Sequence, residues 1–296
     1  MALFKVIFDK AGDDSFFMVD TLIKTQPLQL HQWLENRYEL ISLLGYGGCS
    51  RVYGAIDHQS AGYLRVAIKV LRTDLTIRQN TLAEEYEKLQ RIRHINVVQV
   101  FGISQQNLFF VMELLEGRSL SQLIGYYQQQ GGLPRHWALL LTRQLISALT
   151  TLHRAGLIHR DLKPGNLFFN KQDGQLKIID FGMAQEKEMQ YAGHYSSKSM
   201  DALTPVYASL EMLSGADADA RDDIYSAGCV IYEMLTGRHP FDRLSADQAA
   251  VLNLVPEPIE WLSQAQWHVL SKSLVLNREN RVADISEFSS VFEMLQ

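Results

Sequence analysis

His-Arg-Asp-Leu-Lys-Pro-Gly-Asn, residues 159–166, is a polar octapeptide between two apolar segments of the chain. The segment before it has leucines at helical spacing from Leu139 to Leu152 and closes at Gly156, which predicts a helix over 139–155. The segment after it, 167–169, has the apolar character of a short buried strand. The octapeptide is therefore predicted to be a loop that leads from a helix into a strand.

A second acidic motif follows after one predicted hairpin. Asp173-Gly174 predicts the turn, and 176–179 predicts a returning strand that leads directly into Asp180-Phe-Gly. The two motifs together supply a candidate base, Asp161, and two oxygen ligands for a metal, Asn166 and Asp180. Either motif alone could be a polar loop whose Asp and Asn make turn hydrogen bonds, but both in this order favour a catalytic site.

The octapeptide and the Asp-Phe-Gly motif resemble the catalytic loop and the magnesium loop of protein kinases, specifically of the serine/threonine class. The resemblance implies that Asp161 accepts the proton of the substrate hydroxyl or orients that hydroxyl, and that Lys163 steadies the transferring phosphate. It also implies that Asn166 and Asp180 hold two Mg²⁺ ions, which prefer oxygen ligands. Phosphoryl transfer depends mainly on positioning and charge neutralisation, and these residue types provide both.

The composition of the 296-residue chain, 47% hydrophobic and 21% charged, is that of an ordinary globular protein. The net charge of −5 gives no support for nucleic-acid binding. Cys49 and Cys229 lack metal-ligand spacing, which favours a reducing compartment, and no apolar run has membrane-spanning length. Lys5 and Asp9 interrupt the first residues, so a secretory signal is not predicted. We expect a cytoplasmic protein with no membrane segment in this chain and no nucleic-acid partner.

Residues 1–37 precede every kinase-like motif in the chain. Within them, 3–8 and 16–19 predict two strands, and 27–35 predicts a short helix. We expect this N-terminal extension to pack on the small lobe, and the alternative is a docking or autoregulatory element.

The kinase resemblance covers residues 38–293 and therefore most of the chain. It implies an α+β fold of two lobes, the two-lobed protein kinase fold. The expected parts are a small β-rich N-lobe at 38–112, a hinge at 113–117 and a larger helical C-lobe at 118–293.

A glycine-rich stretch follows the strand predicted at 38–44. Glycines let the backbone approach phosphate oxygens and present N–H groups to them. By resemblance, Gly45, Gly47, Gly48 and Ser50 form a loop over the phosphates of ATP. Ser50 stands where the family pattern has a third glycine, and a serine there is still small.

Val-Ala-Ile-Lys, ending at Lys69, resembles the family motif whose lysine grips the α- and β-phosphates. Its partner is expected on the next predicted helix, 81–93, which offers Glu84, Glu85 and Glu87. The motif after that helix places Glu85 in the family's register. For each of these glutamates the alternative is a solvated helix face.

The strand predicted at 108–112 ends in residues that resemble the family's gatekeeper and hinge. An apolar slot with a few backbone polar contacts suits a nucleobase. The adenine and ribose contacts implied by the resemblance are Val52, Ala67, Met112, Glu113, Leu115, Ser119 and Phe168.

The segment 183–207 resembles the activation loop, and Thr-Pro-Val-Tyr at 204–207 resembles the family's platform for the peptide substrate. Ser-Leu-Glu at 209–211 replaces Ala-Pro-Glu, and the loss of that proline could loosen the anchor of the loop. Glu211 and Arg281 match the family's buried ion pair. Asp223 is expected to brace the catalytic loop, with a helix-terminal aspartate as the alternative.

The resemblance also implies a switch. Arg160 corresponds to an arginine that commonly binds a phosphate on the activation loop, because a guanidinium can grip phosphate oxygens at two points. Ser197 and Ser199 lie at a suitable distance before Thr204, with Ser196 as a further candidate, and we predict autophosphorylation at Ser197 or Ser199. The alternative is an Arg160 that bonds loop carbonyls in a kinase that is active without modification.

The sequence therefore predicts a protein serine/threonine kinase, similar to bacterial members of the family, that transfers the γ-phosphate of ATP to Ser and Thr hydroxyls of proteins. The alternatives are a pseudokinase that serves as a scaffold or binding module, and a kinase of small molecules. The recognisable activation loop with Thr204 argues against a kinase of small molecules. The complete catalytic set argues against a pseudokinase, and its members are Lys69, Asp161, Lys163, Asn166 and Asp180.

Overall fold

The computed structural model describes residues 28–46, 50–71, 81–104, 106, 108–170, 173–186 and 204–292. The strands predicted before residue 20, the loop residues Gly47 and Gly48, and the predicted phosphosites Ser197 and Ser199 lie outside these described residues. The described chain forms two compact units. The small unit comprises the residues up to Gln90 together with Gln99–Leu115, and the large unit comprises Arg91–Val98 and the residues from Glu116 onward.

The small unit is built on a six-stranded antiparallel sheet with the strand order β1-β2-β3-β4-β6-β5. The strands are β1 (Trp33–Leu34), β2 (Tyr38–Tyr46), β3 (Ser50–Asp57), β4 (Leu64–Leu71), β5 (Val100–Ile103) and β6 (Phe109–Glu113). Helix α1 (Thr81–Arg91) lies between β4 and β5 along the chain. Strand β4 lies between β3 and β6 and is buried from Val66 to Val70, so it is a central strand of the sheet.

The helix predicted at 27–35 is wrong over the residues that the structure describes. Trp33 and Leu34 form a strand that pairs with β2, and Leu34 is fully buried in the core beneath the sheet. Glu35 and Asn36 both have φ of 49°, a left-handed turn that a helix cannot contain. Pairing with β2 therefore overrides the local helical pattern.

The large unit is mainly helical. Its helices are α2 (Leu120–Tyr127), α3 (Arg135–Arg154), α4 (Leu210–Leu213), α5 (Ala220–Thr236), α6 (Ala246–Val251), α7 (Gln264–Ser273) and α8 (Ser286–Phe292). Its strands form two small sheets, β10-β9-β7 and β11-β8, from β7 (Arg118–Ser119), β8 (Leu157–Ile158), β9 (Leu167–Asn170), β10 (Gln175–Ile178) and β11 (Gln185–Glu186).

Helix α5 is the central element of the large unit. Every residue from Asp222 to Leu235 is buried, although the helix includes two adjacent aspartates. Asp219 caps its start in a reciprocal capping box with Asp222, and Gly237 ends it with φ of 71°. A helix buried on all sides needs partners for its polar side chains, and these partners belong to the site described below.

The elements predicted around the octapeptide are confirmed. The predicted helix 139–155 is α3, and the predicted strands 167–169 and 176–179 are β9 and β10. These two strands pair in an antiparallel hairpin across the Asp173-Gly174 turn, where Gly174 has φ of 70°.

One boundary differs from the division expected from sequence, because Arg91–Val98 belongs to the large unit. The reason is its bonding to β10: the N–H of Val98 donates to the carbonyl of Ile178 (3.0 Å), and the N–H of Ile178 donates to the carbonyl of Asn96 (2.9 Å). The predicted fold class is confirmed, with a β-rich small unit and a helical large unit. In the described ranges no helix combines the length and the apolarity needed to cross a membrane.

Candidate active site

Asp161 is held at the centre of the catalytic loop by two neighbours. The ammonium of Lys163 donates to both carboxylate oxygens of Asp161, at 2.9 and 2.7 Å. The side-chain amide of Asn166 donates to Asp161 Oδ2 and to its carbonyl, each at 2.8 Å. The carboxylate is therefore fixed in orientation, as a group that accepts or orients a hydroxyl proton must be.

Lys163 also contacts the last part of the segment 183–207, which was predicted to be the activation loop. Its ammonium donates to Thr204 Oγ1 at 2.8 Å. An ammonium has only three N–H donors, and these three contacts account for all of them. The structure thereby brings Thr204 next to Asp161, which lies far from it in the sequence.

Asp223 braces the catalytic loop from below, as predicted. Its fully buried carboxylate accepts the backbone N–H groups of His159 (2.8 Å) and Arg160 (2.9 Å) and the Nε2–H of His153 (2.9 Å). Burial alone would raise the pKa of Asp223, but the hydrogen bond from His153 and the neighbouring charges hold that pKa below its ordinary value. Arg160 is buried and has φ of 62°, a conformation that these bonds stabilise.

Asp180 lies beside Asn166, because the N–H of Ile179 donates to the carbonyl of Asn166 at 2.9 Å. Asp180 is exposed and has φ of 64°, whereas the next residue, Phe181, is fully buried against the His159 ring with centroids 4.8 Å apart. This local twist turns the two successive side chains in different directions. The carboxylate of Asp180 is thereby left on the surface of the large unit.

The donor chemistry of Asn166 and Asp180 fits a hard cation such as Mg²⁺. The side-chain amide nitrogen of Asn166 donates to Asp161, so the side-chain group that Asn166 can offer to a metal is its amide oxygen. In the part of the chain that the structure describes, no group of three or more His, Cys, Asp or Glu side chains could hold a metal. Mg²⁺ is usually bound through one or two protein oxygens together with phosphate and water, so two such side chains suit it.

In the small unit, Lys69 forms a buried ion pair with Glu85. The ammonium of Lys69 donates to the two carboxylate oxygens of Glu85 at 2.6 and 2.8 Å. Glu84 and Glu87 are exposed on α1. Of the three glutamates that the sequence offers, the structure places Glu85 at Lys69.

Some of the residues expected to contact the nucleotide share one face of the sheet in the small unit. Val52 is the cross-strand partner of Lys69, and Ala67 is the partner of Met112. Residues directly opposite each other share a face, and so do residues two apart on one strand. Val52, Ala67, Lys69 and Met112 therefore point to the same side, and Gly45 lies opposite Val52.

The other predicted nucleotide contacts fall in different places. Ser50 begins β3, Glu113 ends β6, and Leu115 is the last residue of the small unit. Ser119 and Phe168 belong to the large unit, where they are register partners across β7 and β9. Ser119 also caps α2, since its hydroxyl oxygen accepts the N–H of Gln122 at 3.3 Å.

The ion pair predicted between Glu211 and Arg281 is present, with 3.0 Å between the carboxylate and the guanidinium. Sequence reasoning missed three further groups that bind the segment 204–209, namely Asp222, Ser226 and Glu233, all on α5. The only local signal was the unusual pair of adjacent aspartates at the start of an apolar helix.

Comparison with known proteins identifies the family of the chain. The family model described as the protein kinase domain matches residues 38–288 of the chain. Because the match covers most of the sequence, the chain belongs to the protein kinase family.

Its curated relatives include bacterial serine/threonine kinases. Serine/threonine-protein kinase PksC of Streptomyces coelicolor is 36% identical over 234 residues, which are 76% of this chain and 41% of the relative. Pkn2 of Myxococcus xanthus is 38% identical over 71% of this chain and 25% of its own length. PknB of Mycobacterium leprae is 32% identical over 86% of this chain and 42% of its own length. The chain thus spans less than half the length of these relatives.

Proposed function

We propose that this chain is a protein serine/threonine kinase that uses ATP and Mg²⁺. The observation that carries the proposal is the arrangement at Asp161, where one lysine binds both the candidate base and Thr204 of the segment that would receive the peptide. The names of the relatives, all serine/threonine kinases, support the same acceptor class.

In the proposed reaction, the oxygen of a Ser or Thr hydroxyl forms a bond to the γ-phosphorus of ATP. The bond from that phosphorus to the β–γ bridging oxygen breaks, and ADP leaves with the electron pair. Asp161 accepts or orients the hydroxyl proton. Lys163, whose ammonium lies 2.7 Å from Asp161 Oδ2, would offset the negative charge of the phosphoryl group during its transfer.

Asn166 and Asp180 would hold the divalent cation, whose contribution when bound is to neutralise charge on the phosphates. Lys69, positioned by Glu85, would bind the α- and β-phosphates. The face of the small sheet that carries Val52 and Ala67 would contact adenine. Gly45 and Ser50 would flank the phosphates, together with the loop between them.

We also propose that autophosphorylation at Ser197 or Ser199 raises the activity, because Arg160 binds the added phosphate. Arg160 is next to Asp161, and its backbone is fixed by Asp223, so a phosphate bound there would act on the catalytic loop directly. The test compares phosphatase-treated protein with protein preincubated with ATP, each as wild type and as Ser197→Ala/Ser199→Ala. Equal rates in all four samples would contradict this switch and would leave the kinase assignment intact.

The acceptor class is tested by incubation with labelled ATP and Mg²⁺ in the presence of matched Ser, Thr and Tyr peptides and of small alcohols. The proposal predicts label on the Ser and Thr peptides only, located by mass spectrometry. ATP binding without any transfer would instead show a binding module. Preferential labelling of the alcohols would show a small-molecule kinase.

A further inference from the structure

The platform, defined here as residues 204–209, is attached to one face of helix α5. Ser226 Oγ donates to the carbonyl of Tyr207 at 2.8 Å, and the Tyr207 hydroxyl donates to Glu233 Oε2 at 2.6 Å. Ser209 Oγ donates to Asp222 Oδ1 at 2.7 Å. Positions 222, 226 and 233 are separated by four and seven residues, which places them on the same side of a helix.

Asp222 joins this attachment to a second charged group. Its Oδ1 also accepts from the guanidinium of Arg278 at 2.8 Å, and the carboxylate is fully buried. The backbone N–H of Arg278 donates to Glu211 at 2.8 Å. Arg278 therefore links the Asp222 contact to the Glu211–Arg281 pair, and the end of the platform is held by two ion pairs instead of one.

The extra contact falls where the chain departs from the family motif. Leu210 replaces the proline of Ala-Pro-Glu at the first position of α4, so the restriction that a proline ring places on φ is absent. Ser209 does two things at this point. Its hydroxyl oxygen accepts the N–H of Met212 at 3.1 Å and so caps α4, and its O–H donates a hydrogen bond to Asp222.

The neighbouring aspartate has a different task. Asp223 accepts the backbone N–H groups of His159 and Arg160 and so holds the catalytic loop. Adjacent residues of one buried helix thus hold the two parts of the large unit that the reaction must bring together: the loop that carries the base, and the platform.

We propose that Asp222 and Arg278 are positioning residues for the protein substrate, and that their ion pair fixes the platform through Ser209. The proposal rests on the proposed kinase function, since it assigns the pair an effect on peptide binding. Neither residue touches ATP or the reacting hydroxyl in this account, so the pair acts on the binding of the peptide and not on the chemical step.

The decisive variants keep the fold. Truncating one partner of a buried ion pair leaves a buried charge and can unfold the chain, so Arg278→Lys and Ser209→Ala are preferred. Arg278→Lys retains the charge but loses the guanidinium nitrogen that donates to both Asp222 Oδ1 and the carbonyl of Asp217, and Ser209→Ala leaves the ion pair and removes its link to the platform. Ser263→Ala is the matched control: Ser263 caps α7 by accepting the N–H of Gln266 at 3.2 Å, as Ser209 caps α4, but it is not part of the platform.

The experiment measures KM for a Ser peptide, KM for ATP, kcat and the melting temperature of each protein. We expect the peptide KM to rise roughly 10-fold in Arg278→Lys and in Ser209→Ala, as for loss of one charge-assisted hydrogen bond, with KM for ATP unchanged. Ser263→Ala should lower the melting temperature and leave both KM values unchanged. An unchanged peptide KM in Arg278→Lys and Ser209→Ala would overturn the proposal.

Amide hydrogen exchange separates this proposal from the kinase assignment. In Arg278→Lys, exchange at 207–209 should accelerate while exchange at 159 and 160, whose N–H groups are held by Asp223, stays at the wild-type rate. This readout needs no turnover, so a wild type that transfers no phosphate would defeat the proposed function alone. Equal exchange at 207–209 in wild type and variant would defeat the role of the ion pair.

Discussion

Among single side chains, Lys69 and Glu85 allow the sharpest test in the small unit, because α1 offers matched controls. Glu85→Gln keeps an oxygen acceptor for Lys69 but removes the charge, so we expect a loss in kcat/KM of about 10- to 100-fold. Lys69→Met should reduce activity further, since it removes the ammonium that is proposed to bind the phosphates.

Glu84→Gln and Glu87→Gln are the controls for this pair, since both glutamates are exposed. We expect each to leave activity unchanged and the free energy of unfolding within about 0.5 kcal/mol of wild type. The measurement is kcat/KM with ATP varied. If Glu84→Gln were the damaging change, the assignment of the pair would be refuted.

His239 makes the stability of the large unit depend on pH. Burial, together with the charge of Arg243, lowers the pKa of His239 to about 4. In the unfolded chain the same imidazole takes up a proton near pH 6.5, so the unfolded state binds more protons between these values. The titration of His239 therefore leaves the free energy of unfolding unchanged above pH 6.5. As the pH drops toward 4, it lowers the free energy of unfolding by up to about 3 kcal/mol.

His239→Asn should remove this dependence. Nδ1 of His239 accepts the N–H groups of Phe241 and Arg243, each at 3.2 Å, and an Asn oxygen can take over those bonds. Denaturant unfolding at pH 6.5, 5.5 and 4.5 should show a shallower fall in stability for His239→Asn than for wild type. The variant His268→Asn, at an exposed position, serves as the control and should follow the wild-type curve. Identical slopes for His239→Asn and wild type would contradict the account.

Among the secondary-structure elements, β1 shows how the segment before residue 38 contributes to the fold. Leu34 is fully buried and Leu28 nearly so, whereas Leu30 is 52% exposed. Leu34→Ala should lower the free energy of unfolding by about 2–5 kcal/mol, because it removes buried methyl groups and leaves a cavity. Leu30→Ala should change it by less than about 0.5 kcal/mol.

The same samples test what the extension does. If residues 1–37 only pack on the small unit, as we propose, Leu34→Ala lowers the melting temperature and leaves the activity per folded molecule unchanged. Thermal unfolding and specific activity are measured on one preparation. A change in specific activity without a matching loss of stability would favour the autoregulatory alternative.

Elements with a strong local pattern could be predicted, and those that depend on distant pairing could not. The leucine spacing of α3 and the Asp173-Gly174 turn of the β9–β10 hairpin are local signals, and the structure contains both elements. The apolar residues near Leu34 carry no such signal. Whether they form a helix or a strand is decided by pairing with β2, which a short window of sequence does not contain.

For the molecule as a whole, the candidate site also contains some contacts that the sequence predicts and others that depend on distant packing. Asp161, Lys163 and Asn166 fall within one short motif, so their hydrogen bonds could be expected from their order in the chain. The anchors of the platform could not. Ser209 and Asp222 are 13 residues apart, and Tyr207 and Glu233 are 26 apart, and only the packing of α5 brings them together.

The central claim is that the groups around Asp161 transfer phosphate from ATP to a protein hydroxyl. The most direct measurement is the single-turnover rate of transfer from ATP to a Ser peptide by wild type and by Asp161→Asn, with ATP affinity measured on both proteins. The account predicts transfer by wild type, a loss of at least about 100-fold in Asp161→Asn, and unchanged ATP affinity, since Asp161 acts on the acceptor hydroxyl. A wild type that binds ATP and transfers nothing would contradict it, and so would an Asp161→Asn protein that keeps the wild-type rate.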